Sequence, residues 1–254
     1  MSKSNKIDLV YVLGKESRWD DNEFRFSLRS VDQNLTGIRN IYLVGEKPEF
    51  VKGVKHIPYP DIYGKLNADG NIIRKILRVC REEKLSDMFL LMTDDSFIIY
   101  QVSAGSIPYY HKGDLREFSL RPGYFQFNEW RKRLGRTKDL LISNRLTTYH
   151  YDCHLPLILD KKLFPEIFRR FDFEKGVGLT WKSIYCNAAG VTGTRVKNTR
   201  YTLFLKYSPN EIDQRIMGFP FVSVNDGGLT EDVKEMLIRR FPDKCKYEKA
   251  ASNG

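Results

Sequence analysis

Short apolar runs typical of buried strands alternate with helix-like stretches through the first hundred residues, and this alternation limits the possible folds more than any other feature. Residues 7–14, 40–45 and 54–58 are rich in β-branched and aromatic side chains, and each run ends at a glycine or a proline. Strands that alternate with helices form a mainly parallel sheet with right-handed crossover connections. The sequence therefore predicts a Rossmann-like α/β fold, with a mixed but mainly parallel sheet flanked by helices.

Two helices are predicted between these strands. The first is capped by Asp20 or Asp21 and ends near Gly37, because its apolar residues recur at the spacing of one helix face. These apolar residues are Phe24, Leu28, Val31 and Leu35. The second helix covers residues 71–83. In such a sheet, ligands bind beyond the carboxyl ends of the strands.

The alternation breaks after residue 100, where the sequence becomes aromatic and basic. Clear helical patterns return only at residues 161–171 and 230–240. No linker divides the chain, so we predict a single domain over residues 1–254. Its parts are a ligand-binding half (7–100), a basic aromatic insertion (101–148) and a half that completes the site (149–248).

Bulk features narrow the class of protein. No stretch approaches the roughly 18 to 20 consecutive apolar residues that a membrane span needs, and no signal peptide precedes the first strand, so we expect a cytoplasmic protein. The four cysteines lie far apart without a Cys-x-x-Cys pair, which predicts buried thiols rather than a zinc site or disulfides. The net charge of +10 favours a polyanionic partner, although a merely soluble basic surface has the same charge.

Two adjacent carboxylates, Asp94 and Asp95, interrupt the apolar run of residues 88–99. Unpaired buried carboxylates cost several kcal/mol, so they require a cation, strong hydrogen-bond donors or exposure at a strand end. Mg²⁺ or Mn²⁺ supplies such a cation and commonly bridges carboxylates to the phosphates of a nucleotide. The alternative is an ordinary polar turn after a strand.

A cluster of arginines follows the first strand. Arg25 and Arg29 are four residues apart and share one helix face, and Arg18 lies in the preceding loop. Such a cluster can clamp phosphate groups. The alternative is a solvated basic helix face that pairs with nearby carboxylates.

Two further clusters contain candidate catalytic groups. His150, Asp152 and His154 alternate, so in an extended strand they would share one side and could supply a metal ligand and a base. Asn225 and Asp226 precede two glycines that allow close approach of the backbone to a ligand. Surface histidines and a strand-to-helix turn are the corresponding alternatives.

The segment from Lys112 to Arg145 contains nine basic and four acidic residues, so half of the net charge lies in 34 residues. Aromatic side chains interleave with these cations, as in proteins that bind nucleic acid through phosphate contacts and base stacking. We assign ligand binding to this segment, with Arg121, Trp130, Arg131 and Arg133 as its binding residues. If the protein transfers a group, this ligand would be the acceptor.

Five blocks of sequence follow one another in a specific order. They are Asp8-Leu-Val-Tyr, residues 21–30 (DNEFRFSLRS), Thr93-Asp-Asp-Ser-Phe, His154-Leu-Pro and Asn225-Asp226. In this order they resemble the Stealth family, which comprises capsular-polysaccharide sugar-phosphate transferases and the lysosomal-enzyme phosphotransferase. The resemblance implies a GT-A-like fold, a nucleotide-sugar donor and a divalent metal.

The resemblance also implies roles for individual residues. Asp94 and Asp95 would hold the metal, and His154 would belong to the active site. Arg18, Arg25 and Arg29 would bind the donor, and Asn225 and Asp226 would lie near the donor pocket. Beyond the resemblance, we add Asp8 and Gly14 to a donor-binding set that also includes Asn225. We predict Asp152, His154 and Asp226 as catalytic residues, with Asp152 or His154 as the base that deprotonates the acceptor. The sequence departs from the family at residues 12–15, and Lys182 is the nearest counterpart of a basic residue that follows the His-x-Pro block in the family.

We therefore predict a glycosyltransferase that uses Mn²⁺ or Mg²⁺ to move a sugar from a nucleotide-sugar donor, a UDP-sugar first of all, to a hydroxyl group. The acceptor is predicted to be either a glycan or the hydroxymethylated bases of phage DNA, which would place the protein in a bacterial or phage-infected cytosol. The first alternative is a Stealth-type sugar-1-phosphate transferase that acts on a glycan. The second alternative is a non-catalytic protein that binds nucleic acid.

Overall fold

The computed structural model describes residues 6–197 and 201–250. Its strands are β1 (Ile7–Leu13), β2 (Leu35–Thr36), β3 (Ile38–Gly45), β4 (Lys55–Ile57), β5 (Met88–Met92), β6 (Ser96–Ile98), β7 (Val102–Ser103), β8 (Tyr110–His111), β9 (Leu157–Asp160), β10 (Thr194–Arg195), β11 (Thr202–Leu203) and β12 (Phe221–Val224). Its helices are α1 (Asn22–Asn34), α2 (Ala68–Val79), α3 (Leu115–Ser119), α4 (Glu129–Ser143), α5 (Leu163–Phe168), α6 (Trp181–Ala188), α7 (Pro209–Ile216) and α8 (Glu231–Arg240).

The central sheet has five strands in the order β4-β3-β1-β5-β9. The first four strands are parallel, and β9 runs antiparallel to β5 at the edge. The predicted α/β fold with a mainly parallel sheet is therefore confirmed. The carboxyl ends of β1, β3 and β5 meet on one side of the sheet, where ligands are expected in such folds.

Alternate residues of the central strands enter two different cores, because successive side chains of a strand point to opposite faces. Val10 and Val12 of β1 pack in the core beneath α2, α4, α5 and α6. Leu9, Tyr11 and Leu13 pack in the core beneath α1. Both faces of the sheet are thus covered, which explains why β1 is buried at all seven positions.

The run of residues 88–99 forms two strands instead of one. β5 ends at Met92, a turn follows, and β6 joins a separate three-stranded sheet in the order β11-β12-β6. The chain therefore leaves the central sheet at Asp94 and Asp95. The two carboxylates thus lie just beyond the end of a strand, one of the settings in which the sequence analysis expected them. The predicted side-chain cap of α1 is wrong, because Asp21 has left-handed backbone dihedrals and its side chain makes no capping hydrogen bond.

Four helices in the second half of the chain, α3, α4, α6 and α7, were not recognised in the sequence. Helix α4 is basic and contains Gly135, so its apolar pattern is weak, yet its buried residues Leu134, Thr137 and Leu141 recur at helical spacing. Because Leu134 and Leu141 belong to the main core, the basic segment is integral to the domain.

All four cysteines are free and buried, as predicted. Across the described residues, the helices are all too short or too polar to cross a membrane.

Candidate active site

A groove runs along the carboxyl ends of the parallel strands. It has two adjoining lobes that share Lys15, Glu16 and Asp94. The Asp95 lobe has a volume of about 460 Å³, and its lining includes Arg18, Asp95, Phe97, Asn225, Asp226 and Leu229. The Tyr63 lobe has a volume of about 530 Å³, and its lining includes Val12, Gly14, Pro60, Tyr63, Asn71, Ile72 and Lys75. Sequence reasoning did not identify the residues from Pro60 to Lys75 as part of the site.

The turn that carries the two aspartates is held by its own hydroxyl groups. Thr93 Oγ1 lies 2.7 Å from Ser96 Oγ, and Ser96 Oγ donates to the carbonyl of His154 at 3.3 Å. On the other side, Ser27 Oγ of α1 donates to the carbonyl of Ser96 at 2.7 Å. The turn is therefore tied both to α1 and to the segment that contains His154.

The two oxygens of Asp95 have different surroundings. Oδ2 lies 3.3 Å from His154 Nδ1, whereas Oδ1 is buried and has no hydrogen-bond partner among the described residues. Burial raises the pKa of Asp95, but the hydrogen bond from His154, together with other nearby donors and cations, outweighs it and lowers the pKa overall. Asp95 is therefore an anion with one oxygen left to bind a ligand.

Asp94 has the opposite character. Burial, followed by the charge of Asp95, holds the pKa of Asp94 well above its ordinary value. A carboxylate in this setting is stabilised by a cation between the two side chains. Asp94 and the unpartnered oxygen of Asp95 thus fit a hard divalent ion, for which carboxylate oxygens are preferred ligands.

The described residues contain no cluster of three or more His, Cys, Asp or Glu side chains arranged to hold a metal. An ion between Asp94 and Asp95 would therefore take its remaining ligands from water and a bound substrate, as Mg²⁺ commonly does. The predicted joint site of His150, Asp152 and His154 does not form. These residues lie in irregular backbone before β9, not in one strand.

A basic side chain reaches the Asp95 lobe from the loop after β1. Arg18 pairs with Asp226 at 3.1 Å, and both side chains are largely exposed. The loop is ordered by Ser17, whose hydroxyl accepts from the N–H of Asp21 at 2.7 Å and donates to Glu23 at 2.9 Å. Arg18 and Asp226 thus meet at the lining of the Asp95 lobe.

Asn225 uses its side-chain oxygen to accept from the N–H of Gly228 at 2.9 Å, which closes the turn after β12. Gly228 is needed there, because a Cβ atom at this position would lie 1.9 Å from the carbonyl oxygen of Leu203. The turn residues Asn225 and Asp226 therefore face the groove from a fixed backbone.

A buried lysine supports the segment that carries His154. Lys182 of α6 is 4% exposed, and its Nζ donates to the carbonyls of Cys153 at 2.5 Å and Leu155 at 2.9 Å. Burial lowers the pKa of Lys182, and the nearby Asp152 partly offsets this effect. Lys182 thus fixes the backbone on both sides of His154. The sequence singled out Lys182 but did not indicate this contact.

Asp152 is not among the residues that line the groove. It is buried and accepts from Nε1 of Trp130 at 2.8 Å. Burial raises the pKa of Asp152, but His150, Lys112 and other nearby cations lower it overall. The structure therefore places Asp152 in a buried polar network rather than in the groove, where the sequence-based interpretation had put a catalytic group.

Three of the predicted donor-binding residues lie elsewhere. Asp8 is at the amino end of β1, opposite the groove, where Arg39 binds it at 2.6 Å. Arg25 and Arg29 of α1 instead bind the buried carboxylate of Glu248, at 2.9 and 2.7 Å. The predicted phosphate clamp is thus reduced to Arg18, because the C-terminal segment covers the face of α1 that carries the other two arginines.

A second cleft of about 660 Å³ lies on the basic aromatic segment. Its lining is Lys112, Glu117, Phe118, Arg121, Tyr124, Trp130, Arg131, His150, Arg195, Val196 and Lys197. Of the predicted acceptor residues, Arg121, Trp130 and Arg131 line this cleft. Arg133 does not, because it is buried and pairs with Asp69 at 2.7 Å.

Solved glycosyltransferase structures are similar to this chain. The apo structure of the bifunctional glycosyltransferase WbbM is 10% identical with a TM-score of 0.51, and the match covers 94% of this chain and 50% of that one. An active-site mutant of LgtC is 12% identical (TM-score 0.48; 94% and 98% covered), and mouse xyloside xylosyltransferase 1 is 9% identical (TM-score 0.44; 88% and 99% covered). No family model and no curated protein matches the chain. The likeness concerns the fold alone.

Proposed function

We propose that the chain is a glycosyltransferase that takes a nucleotide-sugar donor, a UDP-sugar first of all, and uses Mn²⁺ or Mg²⁺ held by Asp94 and Asp95. The observation that carries this proposal is the unpartnered buried oxygen of Asp95 beside Asp94, at the carboxyl end of β5. The fold shared with the glycosyltransferase WbbM supports the same activity.

The two lobes of the groove match the two parts of such a donor. The Tyr63 lobe offers an aromatic ring and aliphatic side chains, which suit a nucleoside. The Asp95 lobe offers carboxylates, an amide and Arg18, which suit a sugar and a diphosphate. Asp94 lies at the junction of the lobes, where the diphosphate of a donor that spans both of them would pass.

A divalent ion held at Asp94 and Asp95 would neutralise negative charge that develops on the diphosphate when the leaving group departs. Arg18 would bind a phosphate oxygen once Asp226 releases it. If Nδ1 of His154 donates to Asp95, its Nε2 is left as an acceptor. His154 is then the best-placed group in this chain to remove the proton of an acceptor hydroxyl, and Asp226 is the next candidate.

A second candidate function is the transfer of sugar-1-phosphate, favoured by the contact of His154 with Asp95 in the Stealth-like blocks. The two reactions break different bonds. Glycosyl transfer breaks the bond between the sugar C1 and oxygen and releases a nucleoside diphosphate. Sugar-1-phosphate transfer breaks the diphosphate bond and releases a nucleoside monophosphate.

The product of donor turnover therefore tests both functions. We expect purified protein with Mn²⁺ to hydrolyse one member of a panel of nucleotide sugars slowly and to release the nucleoside diphosphate. Release of the monophosphate would replace the proposal with the second candidate. If no nucleotide sugar is hydrolysed and none raises the melting temperature of the protein, the transferase proposal is wrong and a non-catalytic role takes its place.

Asp95→Asn is the variant that isolates the metal. It keeps the shape of the side chain but removes the charge, so we expect Mn²⁺-dependent nucleotide binding, measured by calorimetry, to fall by at least about tenfold. Asp213→Asn is the matched control, because Asp213 is a half-exposed carboxylate on α7 that pairs with Arg239 and Arg240. Equal losses in the two variants would contradict a metal role for Asp95.

A further inference from the structure

Most basic side chains of the segment from Lys112 to Arg145 bind partners within the protein. Fewer of them are therefore available to a ligand than the sequence suggests. Four of them bind carboxylates: Arg116 with Asp114, Lys132 with Glu129, Arg133 with Asp69, and Lys138 with Asp139. Arg136 donates to the backbone carbonyls of Asp172, Lys175 and Gly178. These five side chains are already satisfied within the protein.

Three of the remaining cations line the second cleft together. Within the described residues, no carboxylate lies within 4.0 Å of the charged groups of Lys112, Arg121 or Arg131. The acid on the rim of the cleft, Glu117, is itself bound by Arg195 at 2.6 Å. The positive charge of the cleft is therefore available to an external anion.

Aromatic rings hold these cations in place. The guanidinium of Arg131 lies 4.3 Å from the ring centre of Tyr124 and 4.6 Å from that of Phe127. Arg121 lies 5.5 Å from the ring of Phe118, and Lys112 lies 5.7 Å from the ring of Trp130. Ring contacts of this kind orient a cation without using its N–H donors. The cleft thus presents oriented N–H donors for phosphate groups next to flat aromatic rings.

We propose that the second cleft binds single-stranded nucleic acid, with phosphates on Lys112, Arg121 and Arg131 and an unpaired base against the aromatic rings. A nucleic-acid base has a flat π face that stacks on aromatic rings, and Phe127, which contacts the cleft residue Arg131, is 76% exposed. A volume of about 660 Å³ is sufficient for a base and its phosphate.

The cleft is also linked to the groove. Trp130 on the cleft wall donates to Asp152, which lies two residues before His154, the residue that contacts Asp95 of the groove. A hydroxyl on a base bound in the cleft would be the acceptor of the proposed transfer. Only the statement that the bound base is the acceptor rests on the proposed transferase function. The binding itself can be tested without any donor.

Fluorescence anisotropy with a short labelled single-stranded DNA of mixed sequence tests the cleft. We expect binding that weakens as salt rises from about 50 to 200 mM, because phosphate contacts release counterions. Arg131→Gln and Arg121→Gln should each make the slope of log affinity against log salt concentration shallower by about 0.7. Lys132→Gln and Arg116→Gln remove the same charge from paired positions and should change the slope much less.

Stacking is tested separately. Phe127→Ala should weaken single-stranded DNA binding by about five- to a hundredfold. Leu120→Ala is the control, because Leu120 is 84% exposed in the same segment and offers no ring. Both positions are exposed, so neither substitution threatens the fold.

Three results would overturn the proposal. They are equal slopes for the cleft and control variants, tighter binding of the duplex of the same sequence than of the single strand, and tighter binding of polysialic acid, an anionic glycan, than of DNA. If DNA binding fails while metal-dependent donor hydrolysis persists, the nucleic-acid cleft is wrong and the transferase function stands. If DNA binds at the cleft but no donor is hydrolysed, the transferase function fails instead.

Discussion

At the scale of single residues, side-chain chemistry identified the important groups but not their partners. Asp94 and Asp95 were singled out because two carboxylates in an apolar run need a cation, and the structure places both in the groove with one oxygen unpartnered. Arg25 and Arg29 were singled out by similar reasoning, yet Glu248, more than 200 residues away in sequence, binds them. An unpaired charge can be recognised from sequence, whereas its partner is decided by the fold.

Lys182 gives a prediction at this scale. Lys182→Met should reduce turnover by about 10- to 100-fold, because freeing the carbonyls of Cys153 and Leu155 allows His154 to move relative to Asp95. Metal-dependent nucleotide binding should persist, because Asp94 and Asp95 remain in place. Steady-state turnover and calorimetry on the same preparation separate the two effects.

Lys161→Met is the matched control for this prediction. Lys161 likewise donates to backbone carbonyls, those of Glu82, Glu83 and Leu85, but outside the groove. Both variants should lose about 1–3 kcal/mol of stability, because each leaves carbonyls unsatisfied. A similar loss of turnover in both would show that Lys182 has only a structural role.

At the scale of elements, the C-terminal segment is fastened to α1 by a buried ion cluster. The Glu248 side chain is fully buried against Arg25 and Arg29, and Arg29 also donates to the carbonyl of Phe241. Burial alone raises the pKa of Glu248, but hydrogen bonds from Arg29, from the N–H of Cys245 and from Arg25 outweigh it and hold the pKa at about 2.

This cluster predicts a pH dependence of stability. Because the pKa in the folded protein is lower than its ordinary value of 4.5, the cluster stabilises the fold above that value, and the effect is lost as pH falls towards about 2. Glu248→Gln should therefore lose about 3 kcal/mol at neutral pH, and the difference from the unmodified protein should shrink below pH 4.5.

Urea denaturation across this pH range measures that difference. Glu117→Gln is the control, because Glu117 is half-exposed in its pair with Arg195 and should change stability by less than about 1 kcal/mol. A Glu248 variant whose destabilisation does not vary with pH would contradict the ion cluster as its cause.

Elements with strong local patterns were predicted well, and the others were not. β1, β3, β4, α1 and α8 formed within a few residues of their predicted bounds, because β-branched runs and apolar helix stripes are local signals. Helices α3, α4, α6 and α7 were missed. α6 is buried at nearly every position, so it shows little contrast between an apolar and a polar face.

At the scale of the whole molecule, one sheet with two covered faces holds both halves of the chain together. Leu141 of α4 is fully buried in the same core as Val10 of β1. The basic segment should therefore unfold with the sheet in one cooperative transition, although its sequence suggested an insertion.

Leu141→Ala tests this cooperativity. Removing a fully buried leucine should lower the free energy of unfolding by about 2–5 kcal/mol, and the entire molecule should melt earlier in a single calorimetric transition. Ile142→Ala, at the next position but half-exposed, should have little effect. A separate early transition confined to the variant would mean that the basic segment folds as an independent unit.

The sequence by itself determined the α/β class, the parallel strands and the carboxylates at the end of β5, because strand periodicity and the cost of burying charge are local properties of the chain. The tertiary structure alone decided which cations stay available to ligands. Arg25, Arg29 and Arg133 are engaged by distant carboxylates, and Arg18 forms an exposed pair with Asp226 at the groove. Arg121 and Arg131 line the second cleft without a carboxylate partner among the described residues. The sequence shows which residues are charged, but whether a charge is neutralised depends on contacts between segments that are far apart along the chain.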